Sequence, residues 1–232
     1  MCANWPECVV TIGVFDGVHR GHAHLIATAR EVAGERPVVL VTFDPHPALV
    51  LGLPRDTSAL STVDRRAELG HSLGVDAILV LPFTLRFASL SPADFVAQVL
   101  VDALHASAVV VGANFTFGHR GAGTVETLRE LGLTAYGVDL VDGCSSTRVR
   151  ELVRGGDVRA AAAVLGRPHR VEGMLRDGVV SVPPGTALPL DGKYLGTVRG
   201  RLAELIVAGG AVHVSGQNGA AVLEFTDRLE PQ

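Results

Sequence analysis

The stretch CVVTIGVFDGVHRGHAHLI, residues 8–26, decides the fold class. It opens with an apolar, β-branched run, passes through three glycines spaced four apart, and continues into a segment of helical character. Similar apolar runs follow at residues 37–43, 76–82, 107–113 and 133–140. Runs that are apolar at every position are typical of parallel strands covered on both faces. We therefore interpret residues 8–15 as the first of five parallel strands.

Helix-length segments separate these strands, at residues 21–33, 63–73, 91–104 and 123–131. The third begins with Ser91, a favourable N-cap residue, followed by Pro92, which suits the first helical position. Strands that alternate with helices predict an α/β fold, here a doubly wound, Rossmann-like parallel sheet.

The pattern changes in the second half of the chain. Residues 145–168 predict two short helices, broken at Gly155 and Gly156. From Pro168 onward only short strands remain, separated by Gly, Pro and Asp turns, which predicts a small, reduced antiparallel β domain. We place the boundary near Gly166, so that the predicted domains are residues 1–166 and 167–232.

The composition and charge argue against a nucleic-acid-binding protein and against a membrane protein. The net charge of −4 leaves no electrostatic footprint for nucleic acid. No apolar run approaches the ~20 residues that span a bilayer, and the N-terminus lacks the features of a signal peptide, so we expect a cytoplasmic protein without a membrane partner. The cysteines, Cys2, Cys8 and Cys144, are odd in number and form no C-x-x-C pair, so we expect reduced thiols.

The glycine-rich turn after the first strand predicts a ligand site. In a doubly wound sheet, ligands bind beyond the carboxyl ends of the strands, and Gly13–Gly21 occupies that place. The helix that follows, near Arg20 or Gly21, offers free N–H groups and the positive end of its dipole to an anion. The spacing matches neither the G-x-G-x-x-G fingerprint nor the P-loop, so other residues must define the ligand.

The histidines of this turn favour phosphate chemistry. His19 and His22 are three residues apart at a helix start and therefore face the same side, where both can donate hydrogen bonds to phosphate oxygens. The alternative is a pair of ordinary surface histidines, which we consider less favoured in a glycine-rich turn. His24 breaks the spacing and receives no role. A zinc site built from the three histidines lacks a carboxylate partner at a suitable spacing.

A second anion site is indicated by GCSSTRVREL, residues 143–152. Ser145, Ser146 and Thr147 are N-cap residues ahead of a predicted helix. Arg148 and Arg150 would lie in its first turn, where the dipole disfavours cations, an arrangement expected if a polyphosphate neutralises them. A capped surface helix explains this segment equally well.

Taken together, GVFDGVHRGHAHLI (13–26) and SSTRVREL (145–152) resemble the H-x-G-H and I-S-S-T-x-x-R motifs of the nucleotidyltransferase superfamily. Three further stretches are similar to the adenylyltransferase module of bacterial bifunctional FAD synthetases: VTFDPHP (41–47), LPFTLRFASLSPADFV (81–96) and VVVGANFTFGHRGAGTVETL (109–128). The resemblance covers residues 8 to 167 and rests on five motifs in order.

The resemblance implies adenylyl transfer from ATP, as its Mg²⁺ complex, to FMN, giving FAD and pyrophosphate. By motif match, the implied catalytic residues are His19, His22 and Arg148. The implied ATP-binding residues are Gly13, Phe15, Asp16, His19, His22, Ser146, Thr147 and Arg148. The implied flavin or acceptor residues are Phe43, Pro45, Pro47 and Asn114, the last at a position where the family often has Asp. The resemblance names no protein ligand for Mg²⁺, and the oligomeric state stays open.

The sequence departs from the family in its second module. A riboflavin kinase barrel carries a G-F-P-T-A-N loop, which occurs nowhere in this chain, and the module is about half the usual length. Glu224 and Glu230 have no partner motif that would make either a base. We therefore predict a degenerate kinase-like module without riboflavin kinase activity. Arg65 and Arg66 stand where the family usually shows Lys, and we interpret them as helix-surface charges.

Two alternatives to an FMN adenylyltransferase stay open. The first is a related nucleotidyltransferase that acts on another phosphorylated acceptor, since the motifs on the phosphate side are more diagnostic than those on the flavin side. The second is a non-catalytic flavin- or nucleotide-binding protein. The presence of both histidines together with the Ser-Ser-Thr element favours an enzyme.

Overall fold

The computed structural model describes residues 7–139 and 141–229. Three positions discussed above, Cys2, Leu140 and Glu230, lie outside these residues. The chain divides into two compact units. The first unit comprises the described residues up to Arg55 together with Val63–Val141, and the second comprises Asp56–Thr62 and the described residues from Asp142 onward.

The first unit is built on a five-stranded sheet in which every neighbouring pair is parallel. Its strands are β1 (Cys8–Ile12), β2 (Val38–Asp44), β3 (Ala77–Pro82), β4 (Ala106–Gly112) and β5 (Thr134–Val138), in the spatial order β3-β2-β1-β4-β5. The order reverses between β1 and β4, which makes that pair the switch point of a doubly wound sheet. The predicted α/β fold is therefore confirmed.

Helices cover both faces of this sheet. They are α1 (Arg20–Ala33), α2 (Pro47–Val50), α3 (Val63–Ser72), α4 (Leu85–Ala88), α5 (Pro92–Phe95) and α6 (Val125–Glu130). Apolar side chains of α1 and α3 form one core with the sheet, and those of α5 and α6 form another on the opposite face. Ser91 caps α5 as predicted, since its hydroxyl accepts the Asp94 N–H at 3.1 Å.

The helix predicted for residues 91–104 differs in its second half. After α5 the chain continues as a π-helical segment, Val96–Val101, and the Asp102 N–H donates to the Ala97 carbonyl five residues earlier at 2.8 Å. The wider turn still buries Val96, Val99 and Leu100 against the sheet. An apolar pattern of this kind fits both helix types, so the sequence alone does not separate them.

The second unit combines two helices with an antiparallel barrel. The helices are α7 (Ser146–Arg154) and α8 (Val158–Leu165), which confirms the break predicted at Gly155 and Gly156. The strands are β6 (His169–Arg176), β7 (Val179–Ser181), β8 (Gly192–Val198), β9 (Arg201–Ala208), β10 (Ala211–His213) and β11 (Gly219–Leu229). They close in the order β10-β7-β6-β11-β8-β9, so the reduced β domain is a complete barrel with its own apolar core.

No helix among residues 7–139 and 141–229 is both long enough and apolar enough to cross a membrane. Cys8 is buried and Cys144 half-buried, and both are free thiols.

A segment remote in sequence completes the second unit. Residues 56–62 lie beside the loop that follows β7: the Ala59 N–H donates to the Gly185 carbonyl at 2.7 Å, and the Ala187 N–H donates to the Ala59 carbonyl at 2.9 Å. Burial by itself would raise the pKa of the Asp56 carboxyl. Hydrogen bonds from Ser58 and the positive charges of Arg154 and Arg150 outweigh that effect, so the pKa of Asp56 is lowered.

This shift predicts a pH-dependent effect of Asp56→Asn on stability. A carboxyl whose pKa is lowered on folding stabilises the protein above its unfolded pKa of about 3.9, and that contribution is lost as the pH falls through the folded pKa. We expect Asp56→Asn to lower the Tm at neutral pH and the difference from the wild type to shrink as the pH falls below the unfolded pKa of about 3.9. Thermal unfolding at several pH values tests this. Glu151→Gln, which removes an exposed ion pair with Arg148 in the same unit, is the control and should shift the Tm little.

Candidate active site

The loop between β1 and α1 lies at the switch point of the sheet and has an unusual backbone. Phe15, Gly17 and Val18 have φ values of 51°, 80° and 40°. Glycine adopts such values readily, whereas a bulky or β-branched residue does so at a cost. Both Phe15 and Val18 are buried, and the Val18 N–H donates to the Phe15 carbonyl at 3.1 Å. Strained backbone held in place by surrounding structure is typical of functional sites.

His19 is the N-cap of α1. Its backbone is extended, and its Nδ1 accepts the His22 N–H at 3.3 Å. With Nδ1 as the acceptor, a neutral ring would carry its proton on Nε2, and Nε2 would then be the ring nitrogen that donates. His19 is only 5% exposed, and the capping contact orients its ring.

His22 stacks on His19, with ring centroids 3.7 Å apart and an interplanar angle of 18°. The geometry therefore confirms that the two histidines face the same side. Phe15 packs against His22, since their ring centroids are 4.9 Å apart, and Phe15 is fully buried. Gly13 lies against the Phe15 ring: a Cβ at position 13 would be 3.2 Å from an atom of that ring. Phe15 is thus placed to shape the site from within the core.

Asp16 and Arg66 form a buried ion pair beneath this loop. Arg66 Nε is 3.9 Å from Asp16 Oδ1, and the two side chains are 7% and 2% exposed. The prediction that Arg66 is a helix-surface charge is therefore wrong. The sequence was ambiguous because an arginine in a polar helical turn usually faces solvent, and no neighbouring residue indicates a partner fifty positions away.

The predicted flavin-side residues follow the neighbouring strand, β2. Phe43 is 9% exposed and packs against Phe83 and Phe87, with ring centroids 5.6 and 6.1 Å away, so its ring belongs to the core. Pro45 is exposed after a cis Asp44–Pro45 bond, and Pro47 is half-buried at the start of α2. Whether these prolines contact a flavin stays a prediction.

Asn114 is exposed just beyond the end of β4. Because β2, β1 and β4 are consecutive parallel strands, the residues that follow them emerge at one edge of the sheet. The sheet thus brings Pro45, Gly13 and Asn114 to the same edge as the histidine pair. That edge is our candidate active site.

The predicted phosphate-binding element at residues 145–148 belongs to the second unit. Ser145 alone is the N-cap of α7, since its Oγ accepts the Arg148 N–H at 3.1 Å, whereas Ser146 and Thr147 lie inside the first turn. Arg148 is exposed and pairs with Glu151 at 3.5 Å. The roles of Ser146, Thr147 and Arg148 stay predictions.

Arg150 differs from Arg148, although both lie in the segment that the sequence assigns equally to a polyphosphate site or to a capped surface helix. The pattern S-S-T-x-x-R, counted from Ser145, ends at Arg150. Its side chain is 4% exposed, and its Nε donates to the Ser58 carbonyl at 2.7 Å. Arg150 therefore has a structural contact inside the second unit, which its sequence position did not reveal.

Within the part of the chain that the structure describes, no three or more His, Cys, Asp and Glu side chains gather as a metal site. His19, His22 and His24 therefore do not form a zinc site of that kind.

The family model for FAD synthetase matches residues 2–157 of this chain. The chain belongs to the FAD synthetase family. The match includes the β1–α1 loop and the strand ends of the sheet, so the candidate active site of this FAD synthetase family member lies wholly within the matched region.

Curated relatives agree with this family. Over 180 residues the chain is 35% identical to the bifunctional riboflavin kinase/FMN adenylyltransferase of Listeria monocytogenes, a match that covers 73% of this chain and 57% of that protein. With the protein of the same name from Pseudomonas fluorescens it is 39% identical over 182 residues, or 74% of this chain and 58% of the relative. This FAD synthetase family member thus matches less than two thirds of the length of these relatives.

A solved structure shares the whole fold. The crystal structure named as a macrolide-efflux protein from Streptococcus pneumoniae superimposes with a TM-score of 0.85 at 27% identity, covering 97% of this chain and 86% of that one. The fold of this FAD synthetase family member, sheet and barrel included, is therefore found in a known structure.

Proposed function

We propose that this chain transfers the adenylyl group of ATP to FMN, releasing pyrophosphate and forming FAD. The single observation that carries the proposal is the stacked His19–His22 pair at the N-terminus of α1, at the switch point of the sheet. The printed names of the relatives, which include FMN adenylyltransferase, support ATP and FMN as the substrates.

The chemistry needs charge stabilisation more than a base. An oxygen of the FMN phosphate attacks the α-phosphorus of ATP, a new Pα–O bond forms, and the bond from Pα to the pyrophosphate oxygen breaks. The attacking phosphate is already ionised near neutral pH, since its second pKa is about 6. What the protein supplies is positioning and hydrogen-bond donors for the charge on the phosphoryl oxygens.

We assign that donation to His19 Nε2 and to His22. The capping bond on Nδ1 orients the His19 ring before any ligand arrives, so no reorganisation is required during the reaction. The free N–H groups and the dipole of α1 add to the positive potential at the same place. In this proposal Mg²⁺ arrives with ATP, held by the phosphate oxygens that it prefers.

We further propose that the chain does not phosphorylate riboflavin. The G-F-P-T-A-N loop of a riboflavin kinase is expected after the first barrel strand. Here β6 and β7 are joined only by Asp177 and Gly178, with φ values of 49° and 83°. Positive φ at both positions is the mark of a tight two-residue hairpin turn, which has no room for such a loop.

The module boundary proposed near Gly166 is supported by the local backbone. Gly166 ends α8 in a left-handed conformation, and β6 starts at His169. We therefore propose residues 1–166 as the adenylyltransferase-like module and 167–232 as the degenerate kinase-like module. The compact units divide the chain differently, because α7 and α8 group with the barrel.

An acceptor and donor panel tests the proposed function. Purified protein with Mg²⁺ is mixed with ATP or CTP and with FMN, riboflavin or another phosphate monoester, and the products are separated by chromatography. We expect FAD and pyrophosphate only from ATP with FMN, and no FMN from riboflavin with ATP.

Other outcomes identify the alternatives. Transfer to a different phosphate monoester, with FMN inert, would show a related nucleotidyltransferase. Tight binding of ATP or FMN without any product would show a binding protein. FMN formed from riboflavin would contradict the absence of kinase activity.

A further inference from the structure

We propose that Arg66 is a positioning residue for the adenylyl-transfer site: its buried pair with Asp16 holds the β1–α1 loop in its strained conformation and thereby places His19 and His22. The inference rests on the proposed function for its activity readout. Arg66 touches none of the reacting groups, and its effect passes through the loop.

Arg66 joins the end of β2 to the loop that follows β1. Besides the pair with Asp16, its Nη1 is within hydrogen-bonding distance of three acceptors: the Phe43 carbonyl at 3.2 Å, the Val14 carbonyl at 3.4 Å and the Thr42 hydroxyl at 3.4 Å. The Thr42 hydroxyl itself donates to the Val14 carbonyl at 2.7 Å. One guanidinium, carried by α3, thus ties the carboxyl end of β2 to the loop that follows β1.

The loop needs such a tie because its backbone is strained. Phe15 and Val18 have left-handed φ values, and Asp16 stands between them with only 1% of its surface exposed. A buried carboxylate is costly without a compensating charge, and Arg66 provides that charge. If the guanidinium is removed, moving toward water lowers the free energy of the Asp16 carboxylate. That movement would let the strained turn relax.

Movement of the turn reaches the histidines directly. The Phe15 ring is in contact with the His22 ring, and Val18 immediately precedes His19. A displacement of about 1 Å at a site that works by positioning can cost up to about 10²-fold in rate. The series of neighbouring residues from Arg66 through Asp16 and Phe15 to His22 therefore predicts that loss of Arg66 lowers kcat.

The planar fork of arginine suits this place better than a lysine. A guanidinium presents several donors in fixed directions, so it can face a carboxylate with one edge and carbonyl oxygens with another. An ammonium is a single point of charge, so it cannot lie beside Asp16 and also reach the three acceptors of Nη1. We therefore expect Arg66→Lys to be intermediate between the wild type and Arg66→Met.

The test compares Arg66→Met and Arg66→Lys with Arg30→Met. Arg30 pairs with Asp76 at 3.1 Å, an exposed arginine–aspartate pair of the same unit that lies away from the loop. At a temperature where all variants are folded, we expect Arg66→Met to lower kcat by about 30- to 100-fold with a KM for ATP changed less than about threefold. The kcat of Arg66→Lys should be at least about tenfold higher than that of Arg66→Met. The kcat and KM of Arg30→Met should equal those of the wild type.

An activity-independent readout separates this inference from the proposed function. Hydrogen exchange of the Gly13 and Val18 amides, both bonded within the structure, should be at least about tenfold faster in Arg66→Met than in the wild type, with exchange in β4 unchanged. If the wild type makes no FAD, the proposed function fails while this readout still decides the inference. Unchanged loop exchange, or a kcat equal to that of Arg30→Met, would overturn it. If Arg66→Met does not fold, Arg66→Lys and Asp16→Asn provide the same comparison.

Discussion

His19→Asn is expected to reduce adenylyl transfer by about 10²- to 10³-fold while leaving the Tm and ATP binding close to those of the wild type. Asparagine is a preferred N-cap residue, and its side-chain oxygen can accept the His22 N–H in place of Nδ1. Its Nδ2 amide lies nearer the main chain than the far ring nitrogen of histidine, so the donor at the position of Nε2 is lost. Removal of one preorganised donor at a charged transition state typically costs this much in kcat.

A series of variants separates catalysis from folding. His19→Ala removes the cap as well as the donor, so it should lose turnover to the same extent and also about 1 kcal/mol of stability. His22→Asn should lose turnover comparably. His24→Ala, at an exposed position two residues further on, should keep full activity. Steady-state kinetics, ATP binding by calorimetry and thermal unfolding give the three readouts. Near-normal turnover in both His19→Asn and His22→Asn would refute the assignment of these residues.

Gly196→Ala is expected to be the most damaging single-methyl change in the barrel. A Cβ at Gly196 would lie 2.2 Å from the Glu224 carbonyl oxygen and 2.7 Å from a methyl carbon of Leu205. The oxygen belongs to the backbone of β11, which pairs with β8 at this point, so it cannot withdraw without breaking the ladder. We expect a loss near the upper end of overpacking effects, about 3 kcal/mol, and a fall in Tm of more than about 10 °C.

Gly173→Ala should repeat the effect on the neighbouring pair of strands, because its Cβ would lie 2.4 Å from the Ser181 carbonyl oxygen. The matched control is Leu202→Ala on β9, where the side chain is 75% exposed and the change should stay within about 0.5 kcal/mol. Calorimetric unfolding of the three variants measures this. A Tm for Gly196→Ala close to that of Leu202→Ala would contradict the close backbone approach in the barrel.

The parts of the fold that the sequence predicted are those encoded locally. Predominantly apolar runs became the five parallel strands: β1, β2 and β4 are buried along most of their length, as expected of strands covered on both faces, whereas the edge strand β5 is largely exposed. The start of α1 and the shared direction of His19 and His22 follow from helix geometry within four residues. These features need no knowledge of which other segments pack nearby.

The features that the sequence did not predict depend on distant partners. From the sequence alone Arg66 is interpreted as a surface charge. In the fold, however, Val14, Phe43 and Asp16 surround its guanidinium. The buried contact of Arg150 with the Ser58 carbonyl likewise requires that residues 56–62 fold into the second unit. Closure of the barrel likewise depends on the pairing of β9 with β10 and of β10 with β7, which no local pattern shows.

The central claim is that this chain moves the α-phosphorus of ATP to FMN, and the position of an isotopic label tests it most directly. The protein is incubated with Mg²⁺, FMN and ATP labelled either at the α- or at the γ-phosphorus, and the flavin and pyrophosphate fractions are counted. Our account predicts that the α-label appears in FAD and the γ-label in pyrophosphate, with both transfers about 10²- to 10³-fold slower in His19→Asn. A γ-label in the flavin fraction, or no label transferred by the wild type, would contradict it.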